Sequence, residues 1–277
     1  MNAKKKTILS QTFMIVVLIV LLLLTFVPIF LMFVVSLKST GQLYTNFWAL
    51  PNPPVWSNYS VAFTGIVGNM LNSFLYVSVA TLCVVFLSAM GGYVFGIMRF
   101  PGRDALFMVI MSMMMIPSIL TLTPRFVLIS DLGLRNNPLA LILPWVTGGQ
   151  IMAIVLCRTF ISQQPMAIFE SARLDGESEF GAFLKIAVPL AKPILTTVAI
   201  MNLISFYNDY LWPLMVINEN SKQVATVAIQ SFMADAGSDG LGESVAGFVL
   251  ITLPLLILFT FTSRIYIEGL TSGALKT

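Results

Sequence analysis

The sequence has no histidine among its 277 residues and only two cysteines. Histidine is the commonest general base and the commonest metal ligand in proteins, so its absence removes the usual starting point for both kinds of site. The chain also lacks the patterns C-x-x-C, G-x-x-x-x-G-K-[ST] and G-x-S-x-G, which would indicate a redox or metal site, an ATP site and a nucleophile elbow. We therefore predict no catalytic, metal-binding or cofactor-binding residue in this chain, and we expect that it is not itself an enzyme.

Charged residues are also scarce. They make up 10% of the chain, against about 25% in ordinary soluble domains, while hydrophobic residues make up 57% and the mean hydropathy is +0.91. The charges leave long uncharged windows, and a membrane-spanning helix needs about 20 mostly apolar residues. The sequence therefore predicts an all-α integral membrane protein, a single transmembrane domain over 1–277 with six transmembrane helices. The predicted spans are about 12–36, 70–97, 105–128, 138–160, 193–217 and 244–265.

The lysines and arginines are divided unevenly between the two sides of these spans. Of the 15 in the chain, eleven fall on the side of the N-terminus. Because cytoplasmic loops are enriched in Lys and Arg, we predict that both termini, the loop 162–192 and the tail 266–277 are cytoplasmic, in a multi-pass protein of the cell membrane. The same rule accounts for the net charge of +3, so no nucleic-acid partner is expected. The first apolar run is too long for a signal peptide, and we interpret it as a retained span.

Two prolines and one acidic residue mark irregular points within the spans. Pro117 and Pro124 are expected to break the third span near its outer half, which is tolerated where a helix lines a cavity. Asp209 is the one carboxylate within a predicted span, where charge is costly. It either lies near the outer boundary and caps or hydrogen-bonds a neighbour, or it lines the outer part of a transport path. Cys83 and Cys157 are expected to pack as small apolar residues.

The longest charged segment between two spans is the loop 162–192. Its apolar residues recur at i, i+3, i+4 and i+7 in two stretches, which predicts two short amphipathic helices. Gly176 lies between them, where a helix end favours a residue that tolerates positive φ, and Pro189 is expected to stop the second helix. We expect the apolar faces to be buried in a partner, although a surface loop with two interfacial helices has the same periodicity. The faces comprise Pro165, Ile168, Phe169 and Ala172, and Phe180, Phe183, Leu184 and Ala187.

The run E-S-A-x-x-x-G from Glu170 to Gly176, followed after nine residues by I-x-V-P, resembles the EAA motif of permease subunits in ABC importers. The family pattern is E-A-A-x-x-x-G-x9-I-x-L-P, and Ser171 and Val188 are this chain's two departures from it. The resemblance implies that 162–192 is a helix-turn-helix coupling loop between spans 4 and 5, which docks into a cleft of a cytoplasmic ATPase and transmits its closure to the membrane. The residues so assigned to ATPase coupling are Glu170, Ser171, Ala172, Asp175, Gly176, Ile186 and Pro189.

Three other strings resemble those of carbohydrate permeases. W-S-N-Y-S-V-A-F at 56–63 resembles a stretch that precedes their second span. F-Y-N-D-Y-L-W-P at 206–213 resembles the signature W-N-D-F-L-W-P-L, which implies that Asn208 and Asp209 line the pore. The ending from Tyr266 resembles that of the second, maltose-type permease, whose tail reaches into the ATPase dimer interface; without the resemblance it would be interpreted as a frayed end. The tail residues so implied are Glu268, Gly269, Ser272 and Gly273.

The resemblance predicts a membrane-spanning permease subunit of an ATP-driven importer of di- or oligosaccharides, forming half of the pore. The implied partners are a second homologous permease subunit, two P-loop ATPase subunits, an extracellular sugar-binding protein and the lipid membrane. No cofactor is expected, because ATP is bound by the partner, and the companion permease is expected to make most sugar contacts. The alternative is an independent secondary transporter of a small solute. Such carriers usually keep ionisable groups near the midplane, whereas the middles of these spans lack charge.

Overall fold

The protein is helical in every regular element of the part that the computed structural model describes, which is the backbone of residues 2–272 and the side chains of residues 11–262. The elements in chain order are α1 (Asn2–Ser36), α2 (Thr40–Thr45), α3 (Ser57–Gly96), α4 (Arg103–Met113), a 3-10 turn (Ser118–Thr121), α5 (Leu122–Asp131), α6 (Leu139–Ile161), α7 (Met166–Leu174), α8 (Glu179–Ala182), a π-helical turn (Phe183–Ala187), α9 (Val188–Leu190), α10 (Lys192–Tyr207), α11 (Leu211–Val216), a 3-10 turn (Asn220–Lys222), α12 (Ala225–Ala236) and α13 (Leu241–Ser272).

Four of these helices are long and apolar enough to cross a membrane by length and composition, and the number rises to six if two bent helix pairs each count as one span. The prediction of an all-α protein with membrane-spanning helices is thereby confirmed, while the count of six and the cytoplasmic termini stay predictions. The four straight candidates are Gln11–Ser36, Ser57–Gly96, Leu139–Ile161 and Leu241–Thr262, and the bent pairs are Arg103–Met113 with Ser118–Asp131 and Glu179–Leu190 with Lys192–Tyr207.

Helix α3 begins earlier than the sequence suggested. Residues 57–69 were expected to lie outside the membrane before a span at 70–97, but they continue the same helix from Ser57 to Gly96. Ala62 and Ile66, four residues apart and therefore on one face, are fully buried. Residues 57–69 and residues 70–96 of the predicted span are therefore parts of one unbroken helix.

The third predicted span is broken, as expected, but at one proline rather than two. Helix α4 ends at Met113, Pro117 precedes the 3-10 turn, and the two halves meet at 89°. Pro124 lies in the first turn of α5, where the missing N–H of proline breaks no helical hydrogen bond. The expectation that Pro124 breaks the helix is therefore wrong.

The fifth predicted span, 193–217, is also not one helix. Helix α10 ends at Tyr207 and α11 begins at Leu211. The side chain of Asp209 accepts a hydrogen bond from the backbone N–H of Trp212 at 3.4 Å. Aspartate side chains that bond to a nearby backbone group in this way favour turns over continuous helix, in agreement with the interruption at 208–210.

The chain contains two compact units, which are described separately: Met1–Val67 with Ile229–Leu253, and Gly68–Ala228 with Pro254–Thr277. In the first unit, Lys38 is buried, with only 1% of its surface exposed. Its ammonium donates hydrogen bonds to the backbone carbonyls of Asn46 at 2.8 Å and Phe47 at 2.7 Å, which fix the loop after α2. The expectation that 1–277 form a single transmembrane domain stays a prediction.

In the second unit, glycines bring α3 and α6 into close contact. A Cβ on Gly92 would lie 2.5 Å from the Cβ of Cys157, so any side chain there would force the two helices apart. Cys157 is buried at this contact, and its thiol donates to the hydroxyl of Ser88 at 3.7 Å. The small residues of α3 therefore form a packing seam of the kind that membrane helices use. Cys83, by contrast, is exposed.

Candidate functional site

The loop 162–192 contains the predicted turn between two helices. Gly176 has φ +80° and follows Asp175, the C-cap residue of α7. Its N–H donates to the carbonyl of Arg173 at 3.1 Å, and the N–H of Glu177 donates to the carbonyl of Ala172 at 2.9 Å. These two bonds form a Schellman motif, which ends a helix with a residue in the left-handed region. Glycine takes that conformation without the strain that a Cβ would add.

The second helix of the loop is more irregular than predicted. Its N-cap is Ser178, whose hydroxyl accepts from the N–H of Gly181 at 3.0 Å. The helix passes through a π-helical turn at Phe183–Ala187 and continues to Leu190, so Pro189 lies inside it rather than stopping it. The wider π turn ends just before α9, which places Pro189 in the first turn of a new helical segment, where its missing N–H is not needed.

One ion pair connects the two helices of the loop, and a second connects the turn residue Glu177 to the second helix. Arg173 Nε lies 2.7 Å from Glu179 Oε1, and Lys185 Nζ lies 2.7 Å from Glu177 Oε2. The hydrogen bond from Arg173 lowers the pKa of Glu179 below its ordinary value, and the bond from the Tyr93 hydroxyl acts in the same direction. The hydrogen bond from Lys185 likewise lowers the pKa of Glu177. Both carboxylates therefore stay charged at neutral pH and hold the turn closed.

The apolar faces of the loop pack mainly on the chain itself. Phe169 and Phe183 are buried, and their ring centroids lie 5.9 and 5.7 Å from that of Tyr93 on α3. The Tyr93 hydroxyl donates to Glu179 Oε2 at 2.8 Å, so one side chain of α3 contacts both loop helices. The expectation that a partner buries both faces is therefore wrong for their buried members, Phe169, Ala172, Phe183 and Ala187. The other apolar members Ile168, Phe180 and Leu184 are exposed, and their burial by a partner stays a prediction. Leu174 and Phe180 remain exposed, at 89% and 56%.

The seven residues assigned to ATPase coupling do not share one environment. Glu170, Ser171, Asp175, Gly176 and Pro189 are exposed, Ile186 is half-buried and Ala172 is buried. Glu170 lines a cavity of about 290 Å³ with Arg99 at the end of α3. The exposed members can meet another protein, whereas Ala172 can act only through the packing of α7.

Asp209, the predicted intramembrane carboxylate, is held by two tryptophans. Its Oδ2 accepts from the indole N–H of Trp145 at 2.7 Å, and its Oδ1 accepts from the backbone N–H of Trp212. Hydrogen bonding to neighbouring residues, which belongs to one of the two roles considered for Asp209, is therefore present. Its neighbour Asn208 is exposed and its amide donates to the carbonyl of Ile204 at 2.9 Å.

Asp209 also lines a cavity of about 440 Å³ between α6 and α10. The sequence reasoning missed the other polar residues of this cavity, although their spacing carries a signal. Asn202 and Ser205 lie three residues apart on one face of α10, and Asp209 follows just beyond the end of that helix at the i+7 position. Arg125 of α5 and Trp145 of α6 complete the polar lining.

The predicted contact residues of the tail fall at the edge of the described region. Glu268, Gly269 and Ser272 belong to the last turns of α13, where only the backbone is described. Gly273 lies outside the described residues.

Comparison with known proteins supplies the broader context. Residues 88–270 match the model of a family described as the inner membrane component of binding-protein-dependent transport systems. The arabinooligosaccharide transport permease AraQ of Bacillus subtilis is 30% identical over 92% of each chain. The trehalose transport permease SugB of Mycobacterium tuberculosis is 32% identical over 90% of this chain and 92% of its own.

Solved structures reproduce the fold. A chain of a bacterial ABC transporter involved in the import of the acidic polysaccharide alginate superposes with a TM-score of 0.85 at 21% identity, over 95% of this chain and 98% of that one. At this identity the likeness establishes the fold and leaves the substrate open.

Proposed function

This chain belongs to the family of inner membrane components of binding-protein-dependent transport systems, and we propose that it is a permease subunit of an ATP-driven importer of di- or oligosaccharides. The observation that carries the proposal is the loop 162–192. It combines the E-S-A-x-x-x-G string, a Schellman turn at Gly176 and an exposed carboxylate at Glu170 with a family match that covers all of them. The curated relatives AraQ and SugB, named as permeases for arabinooligosaccharides and trehalose, support a carbohydrate as the cargo.

In this proposal the six spans place both termini and the loop 162–192 in the cytoplasm. The helix pair Glu179–Leu190 and Lys192–Tyr207, bent by 77°, then has its first member in the cytoplasmic loop and its second in the membrane. The uneven division of Lys and Arg supports this orientation. The chain forms half of a pore and performs no catalysis, since ATP is bound and hydrolysed by partner subunits.

The loop transmits ATPase closure as a stiff lever. Ion pairs close its turn, and Tyr93 attaches both of its helices to α3, so a force on the exposed side reaches a membrane helix directly. Glu170, Ser171, Asp175 and Gly176 form the contact with the ATPase, and Ala172, Ile186 and Pro189 keep the two helices in position. The tail residues Glu268, Gly269, Ser272 and Gly273 supply a second contact, and Asn208 and Asp209 lie at the pore.

The complex that follows from this role contains a second homologous permease, two P-loop ATPases and an external sugar-binding protein. A gentle detergent pull-down from the native membrane, with mass identification of co-purifying chains, tests it. Recovery of another six-span permease and a P-loop ATPase, with two ATPases for each copy of this chain, supports the proposal. Recovery of the chain alone, or only with further copies of the same chain, would contradict the proposal and favour the independent secondary transporter. No observation on the described residues supports that alternative.

A further inference from the structure

The lining of the cavity of about 440 Å³ in the second unit includes two adjacent glycines of α6. A Cβ on Gly149 would lie 2.4 Å from Asn202 Oδ1, so a larger residue there would have to displace the side chain of Asn202. A Cβ on Gly148 would meet nothing within 4 Å, so the missing side chain at this position leaves open space. The volume lies within the range of about 300–1,000 Å³ that is typical of small-ligand pockets.

The polar groups of the cavity are fixed before any ligand arrives. Trp145 stacks on Phe206 with ring centroids 5.5 Å apart and donates its indole N–H to Asp209. The guanidinium of Arg125 lies 4.9 Å from the ring centroid of Trp212 and donates to the Thr121 hydroxyl at 3.3 Å. Fixed side chains lose less conformational entropy on binding, which favours recognition.

The two charged groups of the cavity, Arg125 and Asp209, do not form an ion pair with each other. Among the side chains of residues 11–262, four ion pairs within 4.0 Å are present, and neither Arg125 nor Asp209 belongs to any of them. The lining therefore offers a cationic donor, an anionic acceptor, the amide of Asn202 and the hydroxyl of Ser205. Sugar hydroxyls both donate and accept, so a neutral sugar satisfies all of these groups at once.

We propose, resting on the importer function above, that this cavity is a binding subsite for one ring of a neutral sugar, so that this chain itself contacts the cargo. Asp209 and Ser205 accept from ring hydroxyls, and Arg125 and Asn202 provide the complementary hydrogen bonds. The lining carries one carboxylate, Asp209, and one guanidinium, Arg125, so a phosphate or uronate would meet one repulsion for each attraction. A neutral ring meets no repulsion, and the subsite therefore favours neutral cargo over acidic cargo such as the alginate or sn-glycerol 3-phosphate named for other transporters.

The direct test places a thiol in the open space. Gly148→Cys is made in a Cys83→Ser background, which removes the exposed native thiol, and the four-subunit complex is reconstituted with its binding protein. Maltose, trehalose, melibiose and sn-glycerol 3-phosphate are first ranked by uptake. The transported neutral sugar should slow maleimide labelling of the introduced thiol about tenfold at ten times its half-saturating concentration, because about one-tenth of the sites are then free. Glycerol 3-phosphate should leave the rate unchanged.

A second pair of variants separates occupation of the cavity from general damage. Gly148→Leu fills the open space and should lower uptake by at least about tenfold while the subunits still co-purify. Gly68→Leu is the matched control, because a Cβ there also meets nothing within 4 Å and the residue lies on α3 away from the cavity. It should change uptake by no more than about twofold, as expected for an exposed substitution.

The outcomes distinguish this inference from the function on which it rests. If wild type takes up a neutral sugar but that sugar does not slow labelling, and Gly148→Leu behaves as Gly68→Leu does, the subsite is overturned and the importer function stands. Protection of the thiol by glycerol 3-phosphate also overturns it. If the wild-type complex takes up none of the sugars with ATP present, the proposed function fails, and the subsite fails with it.

Discussion

At the scale of single residues, the conformation of Gly176 is the most constrained feature of the loop. Its φ of +80° lies in the left-handed region, and its N–H completes the Schellman motif. Proline fixes φ at about −65° and has no N–H, so it can neither adopt the left-handed conformation nor donate the hydrogen bond of the motif. The turn between α7 and α8 therefore depends on this one position.

We expect Gly176→Pro to lower ATP-driven sugar uptake by at least about tenfold, because a misdirected turn disconnects the exposed side of the loop from α3. Uptake by proteoliposomes that contain the whole complex measures the effect, with membrane insertion checked separately. Gly102→Pro is the matched control, since Gly102 has the same φ of +80° and the same open surroundings but lies outside the motif. Normal uptake by the Gly176→Pro complex would show that the loop does not act as a lever.

At the scale of elements, the attachment of the loop to α3 determines how stiff the lever is. Tyr93 packs against Phe169 and Phe183, and its hydroxyl donates a hydrogen bond to the carboxylate of Glu179. The same carboxylate also accepts a hydrogen bond from Arg173. Tyr93→Phe removes only the hydroxyl, with a cost of roughly 1 kcal/mol for the lost hydrogen bond. Backbone amides of 166–190 should then exchange hydrogen about fivefold faster, which hydrogen-exchange mass spectrometry can resolve.

A comparison with the other ion pair provides the control for this prediction. Lys185 and Glu177 form an exposed pair, for which about 0–1 kcal/mol is typical, so Lys185→Gln should change the exchange rates much less. Equal effects of Tyr93→Phe and Lys185→Gln would mean that α3 does not hold the loop.

Because the pKa of Glu179 is lowered, the stability of the loop should depend on pH, and the direction of that dependence can be predicted. A carboxyl whose folded pKa is depressed contributes stability that is fully present above its unfolded pKa of about 4.3 and is lost as the pH falls through the folded pKa. Exchange protection of 166–190, corrected for intrinsic rates, should therefore be constant from about pH 8 to 5.5 and fall below about pH 4. Glu179→Gln should remove most of this dependence, and an unchanged profile in that variant would contradict the assignment.

The sequence predicted the loop's local geometry better than its surroundings. The turn at Gly176 and the break near Pro117 depend on backbone chemistry, which each residue type largely determines. The partner of the apolar faces could not be inferred, because Tyr93 lies far away in the chain and any buried surface satisfies the same periodicity. The π turn before Pro189 and the cavity beside Gly148 also depend on how distant helices pack.

At the scale of the whole molecule, the proposed topology can be tested with two single cysteines. Arg135→Cys lies in a predicted outer turn and Gln163→Cys in the predicted cytoplasmic loop, and both positions are exposed. In the Cys83→Ser background, a membrane-impermeant maleimide added outside spheroplasts should label the first variant and reach the second only after lysis. The reverse pattern would invert the orientation that the positive charges indicate.

The measurement that tests the central claim most directly is sugar uptake by proteoliposomes with the energy source varied. The complex is reconstituted with its binding protein, and uptake is followed with ATP, with a non-hydrolysable ATP analogue, and with a proton or sodium gradient alone. Our account predicts that uptake requires hydrolysable ATP together with the binding protein and that an ion gradient does not replace them. Uptake driven by an ion gradient without ATP would contradict it and identify the protein as a secondary transporter.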